Sequence, residues 1–266
     1  MSVESLGPPF ALGHTAEVYK WKEGCILKLF RECFPLNAIE HEARVTRLVC
    51  QAGLSVPAVG EITEINGRYG LVYERVSGRP MLYTIAARPW TFSRYARLLA
   101  ELQVEIHRIE AVPGLPSQHQ KLRENIQAVD ILPLELRKTA LKVLEDLPEG
   151  NQLCHGDFHP DNVLITEKGP VIIDWIDATN GNPLADVARS SLLMTKAPIP
   201  VNNSIRWILD VGRKQFHRVY LRHYFELCPG DQEFARWRIV NAAGRLSEGI
   251  PEEQALLAFV QAELLQ

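Results

Sequence analysis

Apolar and polar positions come in short alternating runs through roughly the first ninety residues and then switch to helical spacing. Phe10 to Leu12, Val18 to Trp21 and Ile26 to Phe30 are β-branched or aromatic segments broken by Gly13 and by Lys22-Glu23-Gly24, which predicts a three-stranded meander. Leu36 to Gln51 reads as a helix, and Gly53 just beyond it suits a helix end. Ile62 to Ile65 and Tyr69 to Tyr73 flank Asn66-Gly67, a dipeptide that favours a tight hairpin because both residues tolerate positive φ. The expectation is an antiparallel five-stranded sheet with one inserted helix.

From Ser93 the period changes. Tyr95, Leu98, Leu99, Leu102, Ile106 and Ile109 form one apolar stripe at helical spacing, and similar patterns run over 134–147, 204–227 and 231–248. Pro251-Glu252-Glu253 opens a last helix, with proline suited to its first turn. Val163 to Ile165 and Val171 to Ile173 are β-branched runs joined by residues 166–170, so a β-hairpin interrupts the mainly helical half. The class is therefore α+β. The best boundary lies between Gly78 and Pro89, dividing the chain into residues 1–78 and 79–266.

Composition narrows the functional classes. With 46% apolar and 23% charged residues, the 266-residue chain reads as an ordinary folded, soluble protein, long enough for one large domain or two lobes. The net charge of −3 and scattered Lys and Arg give no basic tract for nucleic acid. No charged-then-apolar leader and no membrane-length apolar run occurs, so the expected location is the cytoplasm, without a membrane partner. Five widely spaced cysteines without a C-x-x-C pair argue against a disulfide framework or zinc ribbon.

The chemistry concentrates in Cys154-His155-Gly156-Asp157-Phe158-His159-Pro160-Asp161-Asn162, followed by the hairpin and Ile173-Asp174-Trp175. A hairpin holds its ends together, so the loops before Val163 and after Ile173 should lie side by side, bringing Asp157, Asn162 and Asp174 together. Phosphoryl transfer needs a carboxylate at the acceptor hydroxyl and hard oxygen ligands for magnesium.

This block resembles the protein-kinase catalytic loop H-R-D-x-x-x-x-N, with Gly156 in place of arginine and Asn162 five residues after Asp157. More closely, H-G-D-F-H-P-D-N-V-L-I with I-D-W and G-N-P-L-A-D-V-A resembles the aminoglycoside phosphotransferase and choline kinase branch of the kinase-like fold. The resemblance implies a two-lobed protein: an N-terminal nucleotide-binding lobe and a helical acceptor-binding lobe. It implies Asp157 as catalytic base, Asn162 and Asp174 as magnesium ligands, Lys28 on the phosphates of ATP or GTP, and Glu42 as partner of that lysine. It also places Gly13 in the phosphate loop, Glu74 and Val76 at adenine, His107 on the helix preceding the catalytic loop, and a hydroxyl-bearing small molecule as acceptor.

Two features depart from protein kinases. Leu12 to Val18 holds the single glycine Gly13, so backbone amides approach phosphate less freely. Only eight residues separate Asp174 from Pro183, leaving little room for an activation loop, which favours a small-molecule kinase over a protein kinase.

Plainer readings stand beside these. Lys28 alone, between Leu27 and Leu29, reads as a solvent-facing strand lysine. Glu42 could be a solvated helix charge, and Asp186 an ordinary helix-start carboxylate or a hydrogen-bonding support for the loop. His155 and His159 around Asp157 could suggest a metallohydrolase centre, but Gly156 and Pro160 impose a loop, and His14, His41, His107, His119, His217 and His223 stand singly. A kinase-like binding module without transfer activity is the rival from another class. Glu226, Asp231, Glu233, Glu248, Glu252 and Glu253, interleaved with Arg206, Arg236, Arg238 and Arg245, leave the acceptor open and read mostly as solvated helix faces.

Overall fold

The computed structural model describes residues 3–13, 15–196 and 203–265; His14 and the first two residues of the N-terminal reading lie outside them. In chain order the elements begin with β1 Ala11–Leu12, β2 Ala16–Lys20, β3 Cys25–Phe30, α1 Leu36–Gln51, β4 Val59–Ile65, β5 Arg68–Glu74 and β6 Gly78–Pro80. Next come α2 Met81–Ala87, α3 Phe92–His107, α4 Gln118–Gln127, α5 Leu134–Glu145, β7 Gln152–Cys154, β8 Val163–Thr166 and β9 Gly169–Ile172. The chain continues through β10 Thr179–Gly181, α6 Pro183–Lys196, α7 Asn203–Leu227, α8 Phe234–Arg245 and α9 Glu253–Leu264. They fall into two compact units, one of Met1–Pro80 with Asn162–Ile176, the other of Met81–Asp161 with Asp177–Gln266.

The first unit is built on the expected antiparallel five-stranded sheet, in the order β1-β2-β3-β5-β4. Asn66 and Gly67 turn β4 into β5 with positive φ of 51° and 76°, the backbone that a two-residue hairpin needs to match strand twist. Both faces of the sheet are covered. On one, Ala16, Phe30 and Leu71 bury against Ile39 and Ala43 of α1. On the other, Tyr19, Leu27, Leu29, Ile65 and Val72 pack with Val3 and Leu6 of the N-terminal 3-10 turn. Lys28 alternates with the two leucines and so shares the α1 side with Phe30, not a solvent face. The β8–β9 hairpin forms as expected, and β6 adds to it as a third antiparallel strand.

The second unit is helical. Leu122, Ile126, Leu144, Ala188, Leu192, Trp237, Val240, Leu256 and Val260 from α4, α5, α6, α8 and α9 share one core. The apolar stripe predicted from Ser93 onward is α3, with Tyr95, Leu99, Leu102 and Ile106 buried. Helix α9 starts at Glu253, so Pro251 stands before the first turn rather than in it. A short antiparallel pair, β7 with β10, sits beside the catalytic-loop sequence. Among the described residues no helix is long and apolar enough to cross a membrane.

Candidate active site

In the first unit, four polar side chains meet where β3, α1, β5 and the end of the β8–β9 hairpin come together. Lys28 Nζ donates to Glu42 Oε1 at 2.8 Å and to Asp174 Oδ1 at 3.2 Å. Tyr73 hydroxyl donates to the same Glu42 Oε1 at 2.6 Å. Burial opposes the charge on Lys28, but Asp174 and then Glu42 outweigh it and raise the lysine pKa, keeping the ammonium charged throughout the neutral range. The Glu42 side chain is 2% exposed and that of Asp174 39%, so the cluster runs from a buried anchor to an accessible carboxylate. Glu42 is a buried ion-pair partner, not a solvated helix charge.

The hairpin ends meet as the sequence predicts. Ile173 N–H donates to Asn162 carbonyl at 3.0 Å, placing Asn162 and the residue before Asp174 on paired backbone. Asp174 adopts φ of 65°, a left-handed conformation that aspartate tolerates better than most residues, and there its carboxylate reaches Lys28. Trp175 anchors the turn, buried and donating Nε1–H to Ile172 carbonyl at 3.1 Å. The oxygen donors of Asn162 and Asp174 suit a hard divalent cation such as magnesium.

Three other sequence candidates have separate partners. Gly13 N–H donates to Ala16 carbonyl at 2.8 Å, and its carbonyl accepts from Arg31 Nη2 at 3.2 Å. Glu74 N–H donates to Ala58 carbonyl at 2.8 Å, and Val76 carbonyl accepts from Gly78 N–H at 3.1 Å.

In the second unit, Asp157 sits between two histidines whose tautomers the backbone sets. Asp157 N–H donates to His155 Nδ1 at 3.1 Å, and Asp161 N–H to His159 Nδ1 at 3.3 Å. With Nδ1 accepting, His159 carries its proton on Nε2, which lies 3.5 Å from Asp157 Oδ2. Burial alone would raise the Asp157 pKa; His159, then Arg189 and His155, outweigh it and hold the carboxyl well below its usual range. Among the described residues no group of three His, Cys, Asp or Glu side chains is arranged to hold a metal ion.

Asp186 is fully buried beneath this loop rather than facing solvent at a helix start. It accepts from His155 N–H at 3.3 Å and Gly156 N–H at 2.8 Å, and from Gln103 Nε2 at 2.8 Å; His107 Nε2 lies 3.1 Å away. His107 Nδ1 is 2.8 Å from Tyr224 hydroxyl. Burial opposes the Asp186 charge, but His107, Gln103 and the Gly156 amide bring its pKa down to about 2. Gly156 has φ of 80°, and a Cβ there would run into the Asp177 carbonyl oxygen, so no side chain fits at this position.

Sequence reasoning did not single out Tyr73, Gln103 or the Lys121–Asp177 pair at 2.6 Å. Only Tyr73 left a signal, because the period of two in β5 puts it on the same face as Leu71, the face toward α1. We expect Tyr73→Phe to destabilise the protein by about 1.5–3 kcal/mol, the range for a hydrogen bond to a charged group. Thermal unfolding checks this, and an unchanged melting temperature would show that Glu42 is held without the hydroxyl.

A model of the phosphotransferase enzyme family matches residues 8–237. Acyl-CoA dehydrogenase family member 10 of Mus musculus is 27% identical over 178 residues, covering 59% of this chain and 17% of that protein, so the chain spans only a small part of that curated relative. Three solved structures share the fold over most of both chains. The amicoumacin kinase hAmiN in complex with AMP-PNP, Ca2+ and Ami is 16% identical with a TM-score of 0.61, covering 96% of this chain and 86% of that one. An aminoglycoside-3'-phosphotransferase of type VIII is 20% identical with a TM-score of 0.62, covering 90% and 92%. A choline/ethanolamine kinase family protein from Mesorhizobium loti is 18% identical with a TM-score of 0.62, covering 98% and 88%. With the family model spanning most of the chain and kinase-like neighbours reaching across nearly all of it, the chain belongs to the phosphotransferase enzyme family and has its kinase-like fold.

Proposed function

We propose that this phosphotransferase moves the γ-phosphoryl of ATP, or of a related nucleotide such as GTP, onto a hydroxyl of a small-molecule acceptor. The observation that carries the reading is the Lys28 ammonium held charged by Glu42 and Asp174 in the unit that also contains Asn162. Lys28 would contact the α- and β-phosphates, with Glu42 and Tyr73 fixing its direction. Glu74 and Val76 would offer backbone groups to adenine, and Gly13 would lie in the loop near the phosphates. Asn162 and Asp174 would hold magnesium, which when bound neutralises charge on the phosphates.

Asp157 would orient the acceptor hydroxyl and take its proton. A carboxylate whose pKa is held low is too weak a base to deprotonate a resting alcohol. It can receive the proton only as the new bond to phosphorus develops, which suits the loose transition state of phosphoryl transfer. Catalysis would then rest on positioning and charge neutralisation, without a covalent enzyme intermediate.

The nucleotide assignment draws support from the AMP-PNP held by the amicoumacin kinase neighbour. Aminoglycosides, choline and ethanolamine enter as acceptor candidates through the names of the other two. One observation favours the alternative of a kinase-like nucleotide-binding module without transfer activity: the sole glycine of the phosphate loop has its N–H committed to Ala16.

ADP release measured across aminoglycosides, choline, ethanolamine, homoserine and sugar alcohols, with and without magnesium, separates the two. We expect at least one acceptor to stimulate magnesium-dependent release. Tight magnesium-independent nucleotide binding, with no stimulation by any acceptor, would establish the binding module instead.

A further inference from the structure

The Gly156 peptide groups are held from both sides. Asp186 Oδ1 accepts the Gly156 N–H at 2.8 Å, and Arg189 Nε donates to the Gly156 carbonyl oxygen. Asp186 and Arg189 lie three residues apart on α6, so one helix face carries an acceptor for one side of this glycine and a donor for the other. Gly156 has no side chain of its own to lock it, and glycine is the residue with the widest choice of backbone conformations. The direction in which its carbonyl points sets the orientation of the peptide that enters Asp157.

Arg189 is itself held. Its Nη1 donates to Glu248 Oε1 at 2.6 Å, in the segment between α8 and α9. Glu248 Oε2 accepts from Arg245 Nε at 3.3 Å, and Arg245 Nη2 donates to Glu252 Oε1 at 2.8 Å. Arg245 and Glu252 are buried while Glu248 between Arg245 and Arg189 is exposed, so this chain of charges runs from the interior to the surface and is not wholly the solvated helix face that the sequence pattern predicts.

We propose that Arg189 is a positioning residue for phosphoryl transfer, fixing the Gly156 carbonyl and through it the Asp157 carboxylate, with Glu248 locking the guanidinium in place. The inference rests on the proposed function for its kinetic part only. The Arg189 cation also contributes to holding the Asp157 carboxyl ionised, behind the larger effect of His159.

The test uses the full chain with Arg189→Lys, Arg189→Met and Glu248→Gln, and reads two quantities. The first is hydrogen–deuterium exchange of the peptide spanning 153–159, which needs no catalytic activity. We expect faster exchange in that segment in all three variants, with α4 and α5 unchanged. The second is the acceptor-dependent kcat. We expect a loss of about tenfold for Arg189→Lys and up to about 100-fold for Arg189→Met, the scale of a misplaced catalytic group, with nucleotide KM within about threefold of wild type.

A residue that merely stabilises the fold would instead raise exchange across the whole unit and lower kcat only as the folded fraction falls. Should Arg189→Met not fold, the lysine and Glu248 variants carry the comparison. Unchanged exchange at 153–159 overturns the inference whatever the activity. Raised exchange with wild-type kcat removes the role in transfer. Raised local exchange in a protein whose wild type transfers to no acceptor leaves the held loop standing and refutes the proposed function.

Discussion

Asp157→Asn is expected to lower kcat by about 10²–10⁴-fold, the contribution of a positioned proton acceptor, while nucleotide affinity stays within about threefold of wild type. Asparagine keeps the shape of the side chain and can still accept a hydrogen bond, but it cannot take the acceptor proton. The groups assigned to the nucleotide, Lys28 and Glu42, belong to the other unit and keep their own contacts. The loss should therefore fall on turnover and not on nucleotide binding. Acceptor-stimulated ADP release beside equilibrium nucleotide binding makes the comparison, and near-wild-type turnover would remove Asp157 from the chemistry.

Asp186→Ala should produce the largest loss of stability, about 3–5 kcal/mol, which for a chain of this size lowers the melting temperature by roughly 8–15 °C. Its carboxylate accepts from two backbone amides and Gln103 and pairs with His107, and Gln103, His107 and His155 are buried with it, so truncation strands several donors together. The same carboxylate sets an acid limit. Its folded pKa of about 2 is below the unfolded carboxylate value, so its stabilisation is fully present above about pH 4 and disappears as pH falls toward 2. Unfolding midpoints across that window should fall in the wild type and fall less steeply in the alanine variant. A variant as stable as wild type at neutral pH would mean that the loop is held by other contacts.

Much of this arrangement is visible in the sequence, where strong local signals coincide with the elements. The limits of α1, the Asn66-Gly67 turn and the β-branched runs of the β8–β9 hairpin follow from periodicity and turn chemistry, which need no knowledge of distant neighbours. The pairing of Asn162 with Ile173, the residue before Asp174, across that hairpin follows from the same pattern.

Other features depend on what covers a surface, and a pattern of period two does not say that. Taken from its strand alone, Lys28 reads as solvent-facing, and only the packing of Ile39 and Ala43 of α1 on that side of the sheet shows that the face is covered. Helix α4 is mostly polar, with only Leu122 and Ile126 as apolar anchors, so its periodicity is too weak to mark it. The β7–β10 pair is three residues long on each side, and Thr179-Asn180-Gly181 carries the composition of a turn. Arg189 looks like any helix arginine, because the carbonyl it holds lies 33 residues earlier in the chain.

The central claim is magnesium-dependent transfer of the terminal phosphoryl to an acceptor, and following label from γ-labelled ATP tests it most directly. Wild-type protein is incubated with each acceptor, with magnesium or with chelator, and the products are separated. Label appearing on one acceptor only when magnesium is present is the predicted result. Label that stays on bound ATP with every acceptor, or that leaves as inorganic phosphate at a rate no acceptor alters, would contradict it.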